Sequence, residues 1–176
     1  MIEKENTVSS DLIYTGKTVS LRVDTVEVPN KGYQKREIVE HNGVVAVIAI
    51  TEDNKIILVK QYRKSIEDVV LEIPGGKLEL NENPRECAIR EFRKKTGYDA
   101  ESFKLIHKFF TSAGFLNQKI YIFLATGLNK GEPEFDEDEL IEKYEIDINE
   151  ARNMVINNEI EDAKTAIGIL LAKELI

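Results

Sequence analysis

The sequence predicts an α/β fold in which a mixed β-sheet is covered by helices, and three observations support this prediction. The first half of the chain is rich in Val, Ile and Thr with partial apolar–polar alternation, which is typical of strands. A helix with clear start and stop signals follows near the middle of the chain. Further strands then lead to two helices at the end of the sequence, so that strands and helices are interleaved.

The strands are expected where short runs of β-branched and aromatic residues occur. They are predicted at residues 17–28, 35–41, 44–51, 55–62, 69–73, 102–110, 119–125 and 143–148. Asp53 and Asn54 indicate a hairpin turn, and Pro74, Gly75 and Gly76 form a strong break after the fifth run. The acidic stretch 132–142 is expected to be a solvated loop.

The middle helix has the best-defined ends of the three predicted helices. Asn83 is suited to the N-cap, Pro84 to the first helical position, and Glu86 lies three residues after the cap. Gly97 is suited to the C-terminal cap. Two further helices are predicted at residues 149–157 and 160–175, and the second carries an apolar stripe at helical spacing.

The composition limits the class of protein. At 176 residues with 42% hydrophobic residues, the chain can bury one core, so we expect one domain over residues 1–176. The net charge of −8 argues against a nucleic-acid binder, and no apolar run is long enough to cross a membrane. The single cysteine, Cys87, and an N-terminus without an apolar core segment favour a cytoplasmic protein.

The segment 75–98, GGKLELNENPRECAIREFRKKTGY, carries the most specific pattern in the chain. It resembles the Nudix box, G-x5-E-x7-R-E-U-x-E-E-x-G-U, in which U is a bulky apolar residue. The matching residues are Gly76, Glu82, Arg90, Glu91, Phe92, Gly97 and Tyr98. At the two positions where the family has paired glutamates, this chain has Lys94 and Lys95.

The resemblance implies the Nudix fold, an α/β/α sandwich with a mixed sheet and additional antiparallel N-terminal strands. It also implies Mg²⁺- or Mn²⁺-driven hydrolysis of a nucleoside diphosphate linked to another group. In the family, carboxylates at the positions of Glu91, Lys94 and Lys95 and the carbonyl at the position of Gly75 hold the metal. Because an ammonium group has no lone pair for a cation, we expect Mg or Mn to bind weakly, if at all, and the activity to be reduced.

The other residues of the box have structural roles in the family. In the family, the arginine at the position of Arg90 pairs with the glutamate at the position of Glu82 to brace the loop against the helix, and we expect Gly76 and Gly97 to be structural as well. Cys87 lies on the same helix. We expect it to be a small buried residue and not a nucleophile, because no histidine is near it in sequence.

The two lysines admit three interpretations. They are ordinary solvated helix residues in a site of lost or weak activity, or Lys95 replaces the metal as a phosphate-binding charge, or a usable metal site is built from other carboxylates. The first interpretation is supported by the i,i+4 spacing of Glu91 and Lys95, a surface pair that contributes about 0.2–0.5 kcal/mol to helix stability.

Further segments are similar to the ADP-ribose pyrophosphatase branch of the family. They are KREIVEH at 35–41, QYR at 61–63, EIPGGKLE at 72–79, TSAGF at 111–115, DEDE at 136–139 and EDAKTAIGILL at 161–171. The resemblance implies that Arg36 and Glu37 bind the adenine and terminal ribose region, and that Arg63 faces the phosphates. It places Gly114 in a substrate loop, in which Ala113 replaces the usual proline and Gln118 stands where an acidic residue is expected.

The resemblance also implies a catalytic base in the acidic loop, with Glu139 favoured over Glu137. The expected reaction releases AMP and ribose 5-phosphate from ADP-ribose, a nucleotide-sugar. The expected assembly is a homodimer in which residues 1 to about 42 provide dimerisation strands, with no nucleic-acid or membrane partner. The alternative function is a catalytically silent nucleotide-binding module. The alternatives for single segments are a cross-strand surface pair for Arg36 and Glu37, and a solvated charge run for residues 136–139.

Overall fold

Ten strands and three helices occur in residues 3–132 and 140–175, the parts of the chain that the computed structural model describes. The strands are β1 Asn6–Thr15, β2 Ser20–Val28, β3 Gly32–Glu40, β4 Val44–Ala49, β5 Lys55–Arg63, β6 Asp68–Glu72, β7 Gly75–Lys77, β8 Tyr98–Phe110, β9 Lys119–Lys130 and β10 Ile141–Asp147. The helices are α1 Pro84–Thr96, α2 Ile148–Ile156 and α3 Ala163–Leu175. None of the helices in this part of the chain combines the length and apolar character needed to cross a bilayer.

The chain divides into two units, which are described separately. The first contains the described residues up to Gly43 together with Phe109–Lys119. The second contains Val44–Lys108 and the described residues from Ile120 onwards. The boundary after Gly43 falls close to residue 42, where the N-terminal strands were predicted to end.

The first unit is built on an antiparallel sheet with the strand order β1-β2-β3. Strand β1 was not predicted. Every residue of β1 is exposed, so its sequence lacks the alternation that a half-buried strand shows. It is a strand because it pairs with β2, and the register of this pairing shifts between Thr7 and Ser9 and between Leu12 and Tyr14.

The second unit contains a mixed sheet with the order β7-β4-β9-β8, in which β4 runs parallel to β9 and antiparallel to β7. Alternate residues of β4 pack on opposite sides, as the pleat of a strand requires. Val45 and Val47 join Phe92 of α1 in one buried cluster, whereas Ile48 lies beside Gly168 of α3. Helices therefore cover both faces of this sheet, which confirms the predicted α/β/α sandwich.

Helix α1 has the ends that the sequence predicted. The side chain of Asn83 accepts a hydrogen bond from the backbone N–H of Arg85 at 2.8 Å, and Pro84 occupies the first turn. Gly97 ends the helix with φ at 75°, a left-handed conformation that favours glycine, and its N–H donates to the carbonyl of Arg93 at 2.8 Å. These caps fix where α1 begins and ends.

Several predicted boundaries differ from the structure; for example, β8 begins at Tyr98 and not at residue 102, and β9 ends at Lys130 and not at residue 125. The last helix begins at Ala163 and not at residue 160, because the carboxylate of Asp162 accepts the backbone N–H of Thr165 at 3.0 Å and so caps the helix start. Residues 75–77, predicted as a break, form the short strand β7 against β4. The predicted loop at 132–142 reaches into β10, which begins at Ile141, and its residues 133–139 lie outside the described part of the chain.

Candidate active site

Helix α1 directs Glu91 into the interior of the second unit. Only 7% of this glutamate is exposed. A Cβ atom on Gly76 of β7 would overlap its carboxyl group, so the glycine at this position makes the space that Glu91 occupies. The glycine at this position of the motif is thus explained by the close approach of a strand backbone to a helix side chain.

Arg90 joins the helix to the loop that precedes it. Its Nη2 donates to both carboxylate oxygens of Glu82, at 2.9 and 3.1 Å, and its Nη1 donates to Glu91. The backbone N–H of Glu79 also donates to Glu82 at 2.9 Å. Burial acts to raise the pKa of Glu82, but the bonds from Glu79 and Arg90 lower it below its ordinary value. The Arg90–Glu82 pair of the family pattern is therefore formed in this chain.

The two lysines of the box differ in their surroundings. Lys95 is buried, with only 4% of the residue exposed, whereas Lys94 is half-buried. Residues four apart lie on the same side of a helix, so Lys95 shares a face with Glu91. The interpretation of Lys95 as an ordinary solvated residue is wrong, because α1 turns it towards the core together with Phe92 and Thr96.

The described residues of this face do not fit the metal site that the family implies. Hard divalent cations require several oxygen ligands, and carboxylates are the usual source. Here Glu91 is already bonded by Arg90, and the next two family positions hold Lys94 and Lys95. Within residues 3–132 and 140–175, no group of three or more His, Cys, Asp or Glu side chains is arranged to hold a metal ion.

Arg63, predicted to face phosphates, is bound to a buried carboxylate. Its Nε and Nη2 donate to the two oxygens of Glu72 at 2.5 and 2.8 Å, and Lys164 of α3 donates to Glu72 as well as to Asp162. Glu72 is 2% exposed. Burial acts to raise its pKa, but the bonds from Arg63 and the charge of Lys164 lower it below the ordinary value.

Sequence reasoning missed Glu72 as the partner of Arg63. Both residues lie in segments that resemble the family, QYR and EIPGGKLE, but neither segment indicates that they meet. The register of the β5–β6 pair places Val59 opposite Glu72, and Arg63 lies an even number of residues from Val59. Arg63 and Glu72 therefore share one face of the sheet, which is a signal that only the register reveals.

The remaining predicted substrate residues belong to the first unit. Arg36 donates to both oxygens of Glu5, at 2.9 and 2.6 Å, and the bond to Glu5 raises the pKa of Arg36. Glu37 is exposed and points to the opposite face of β3, because neighbours on a strand alternate. Arg36 therefore takes part in a surface ion pair, whereas its sequence neighbour Glu37 does not share that face. Around Gly114, an added Cβ would meet no described atom within 4 Å.

The expected catalytic bases, Glu139 and Glu137, lie outside the described residues.

Cys87 is buried, its Sγ donates to the carbonyl of Lys77 at 3.4 Å, and burial together with Glu82 raises the pKa of its thiol to about 12. Cys87 is thus a small buried residue, as predicted, and a thiol with a raised pKa has little reactive thiolate at neutral pH.

Comparison with known proteins connects this geometry to a family. The family model of the NUDIX domain matches residues 40–166 of this chain. The chain is 45% identical over 168 residues to an ADP-ribose pyrophosphatase of Bacillus subtilis, covering 94% of this chain and 91% of that protein. The same identity and coverage hold for a methanol dehydrogenase activator of Bacillus methanolicus.

A third relative and a solved structure extend the comparison. An ADP-ribose pyrophosphatase of Mycobacterium tuberculosis is 34% identical over 167 residues, covering 93% of this chain and 81% of that protein. A crystal structure of an ADP compounds hydrolase superposes with a TM-score of 0.86 at 18% identity, covering 99% of this chain and 95% of the other, and so shares the fold. With the box residues Gly76, Glu82, Arg90 and Glu91 assembled around α1 and these matches along most of its length, the chain belongs to the Nudix family.

Proposed function

We propose that this protein hydrolyses nucleoside diphosphate derivatives, with ADP-ribose as its substrate and AMP and ribose 5-phosphate as products. The observation that carries the proposal is the extensive similarity to the ADP-ribose pyrophosphatase of Bacillus subtilis. The intact arrangement of Gly76, Glu82, Arg90 and Glu91 supports it. A catalytically silent nucleotide-binding module is not favoured, because the named pyrophosphatase relatives match nearly the whole chain.

The roles of the individual residues follow the family pattern. Arg36 and Glu37 bind the adenine and terminal ribose region, Gly114 belongs to the substrate loop, and Arg63 faces the phosphates. In the described structure Glu72 holds the guanidinium of Arg63 in one orientation, since a bidentate pair restricts both side chains. Glu139 is the proposed base, with Glu137 next, and a base in this loop would take the proton from the attacking water. The two units are proposed to act as one Nudix domain over residues 1–176.

The rate is proposed to be reduced by Lys94 and Lys95. Mg or Mn is bound weakly, if at all, because neither ammonium group can ligate a cation. The decisive assay measures AMP release from ADP-ribose with Mg²⁺ and with Mn²⁺. The variant Lys94→Glu/Lys95→Glu should gain at least about 100-fold, because a restored metal site neutralises transition-state charge and each 1.36 kcal/mol is tenfold in rate. Lys94→Glu alone should gain less.

Arg93→Glu is the matched control for this assay. It makes the same change of charge as Lys94→Glu alone and lies on the same helix, but its side chain is 67% exposed and lies near Asp99 at 3.7 Å. We expect no gain from it. A double variant that folds and binds Mg²⁺ but stays as slow as the parent would show that the substrate or the base is wrongly assigned. A parent that already works at an ordinary enzyme rate would show that the lysines are no obstacle.

The protein is further proposed to be a cytoplasmic homodimer. Strand β1 exposes apolar side chains, including Val8, Leu12 and Tyr14, on a sheet of only three strands. A second copy that covers this unit would bury about 1,600 Å² or more in total, the size of a standard stable interface. The single thiol of Cys87 is compatible with a reducing compartment. Light scattering that shows a monomer at micromolar concentration would contradict the dimer.

A second candidate function is activation of an alcohol dehydrogenase. The similarity to the methanol dehydrogenase activator of Bacillus methanolicus favours it, since its identity and coverage equal those of the pyrophosphatase. The test is the rate of methanol oxidation by purified methanol dehydrogenase with and without this chain. Stimulation that survives in a variant unable to release AMP would separate activation from ADP-ribose hydrolysis, and no stimulation would remove this candidate.

A further inference from the structure

The inference concerns four charged residues around helix α1, here named the α1 cluster: Glu82, Arg90, Glu91 and Lys95. Arg90 bonds to both glutamates, and Lys95 lies one helical turn after Glu91 on the same buried face. Two carboxylates and two cationic groups thus balance in the cluster. If residue 95 were the glutamate of the family pattern, three carboxylates would stand against Arg90 alone. That excess of negative charge is what a divalent cation neutralises.

Because Lys95 is buried, its positive charge requires compensation by negative charge. A lysine is almost never fully buried unless its charge is compensated, and Lys95 is only 4% exposed. The neighbouring cation on the helix, Arg93, points to solvent and has no place in the cluster. The helix therefore separates a solvated cation at residue 93 from a buried one at residue 95, and the buried one shares its face with Glu91.

We propose that Lys95 is a permanent counter-cation that takes over the charge role of the divalent ion, so that this chain binds a diphosphate ligand without metal. The choice of ADP-ribose as the ligand rests on the proposed function. A lysine ammonium acts on phosphate groups as a point charge, and it cannot dissociate from the site as a metal ion can. Half-buried Lys94 adds positive charge next to it on the same helix.

The first experiment asks whether the cluster needs a metal, and it does not depend on the ligand. Thermal unfolding of the full chain is measured with Mg²⁺, with Mn²⁺ and with a chelator. The parent Tm should not respond. In Lys95→Glu a third carboxylate joins Glu82 and Glu91 against Arg90 alone, so added Mn²⁺ should raise the Tm by about 3 °C. Arg93→Glu, which makes the same change of charge at an exposed position of the same helix, should behave like the parent. A parent that is itself stabilised by Mn²⁺, or a Lys95→Glu variant that does not respond, overturns the inference.

The second experiment measures binding of ADP-ribose by calorimetry in the presence of a chelator. The parent affinity should be the same with chelator and with Mg²⁺, within about twofold. Lys95→Gln should bind at least about tenfold more weakly in chelator, whereas Lys95→Arg should keep most of the affinity because it keeps the charge. Parent binding that disappears with the chelator, or that survives unchanged in Lys95→Gln, overturns the inference.

A variant that restores the charge balance covers the case in which Lys95→Gln does not fold. Glu91→Gln/Lys95→Gln removes one carboxylate and one cation together, so it should fold without metal, show no Mn²⁺ response and bind ADP-ribose weakly in chelator. Parent-like affinity of this variant overturns the inference.

The outcomes also separate this inference from the proposed function. Metal-free binding by the parent with no AMP release under any condition leaves the inference standing and removes the hydrolase. Metal-dependent binding with AMP release does the reverse. A parent that binds no ADP-ribose under any condition removes both.

Discussion

Two groups of charged residues in the second unit each contain a buried glutamate, but they draw on different parts of the chain. The α1 cluster draws its charges from one helix and the loop before it, within residues 82–95. The second group, here named the β6 cluster, consists of Arg63, Glu72, Asp162 and Lys164, and two of its members that bond to each other are 92 residues apart in sequence. Each contains a buried glutamate that is bonded by at least one cation, since an ionised carboxylate in the interior is costly without such a partner.

The two clusters differ in which parts of the chain their bonds connect. In the β6 cluster three elements, β5, β6 and the start of α3, converge on Glu72, so its bonds connect distant parts of the unit. In the α1 cluster the bonds are local, and they hold Glu91 beside Gly76. We therefore expect damage to the β6 cluster to be expressed mainly as lost stability, and damage to the α1 cluster mainly as altered ligand and metal response.

The largest expected effect on stability comes from Glu72→Gln. The substitution leaves Lys164 and Arg63 next to a neutral amide, and removing one partner of a buried ion pair costs about 3 kcal/mol or more. Glu82→Gln is the counterpart in the α1 cluster. Its side chain is 16% exposed, so water can solvate the lost bonds, and we expect about 1 kcal/mol. Urea denaturation of both variants measures the free energy of unfolding. Equal losses would contradict the expectation that the β6 cluster contributes more to stability than the α1 cluster.

A smaller effect is expected from Gly76→Ala. The new Cβ would overlap the carboxyl group of Glu91, and relief of such overpacking displaces side chains at a cost of about 2 kcal/mol. The matched control is Gly114→Ala, where an added Cβ meets no described atom within 4 Å, and the expected change is within about 0.5 kcal/mol. Denaturation curves compare the two. A Gly76→Ala variant as stable as the control would mean that Glu91 does not depend on the space above β7.

The smallest expected effect is a difference between Glu72→Gln and the parent in how the free energy of unfolding falls with pH. The pKa of Glu72 is lowered in the folded protein from the ordinary 4.5, as is that of Glu82. Each group therefore contributes stability that is present above pH 4.5 and is lost as the pH falls through its lowered folded pKa. Unfolding free energies measured from pH 6 down through this range should fall less steeply in Glu72→Gln than in the parent. Parallel curves for the two proteins would contradict the lowered pKa of Glu72.

Much of the architecture follows from local signals. Asn83, Pro84 and Gly97 determine the ends of α1 through hydrogen bonds within a few residues, so their pattern was sufficient to predict the helix. Strand β1 was missed for the opposite reason. All of its residues are exposed, and only pairing with β2 makes it a strand. The start of α3 was misplaced because the cap at Asp162 competes with an apolar pattern that begins at Ile160.

The family, the sandwich of helices and sheet, and the residues of the box could be inferred from the sequence, because they depend on the spacing of glycines, charges and apolar side chains along short segments. The burial of Lys95 and the pairing of Glu72 with Arg63 became clear only from the folded chain. Burial and long-range pairing depend on how helices and strands rotate against each other, and a charged residue reads the same in sequence whether its neighbour is water or a carboxylate.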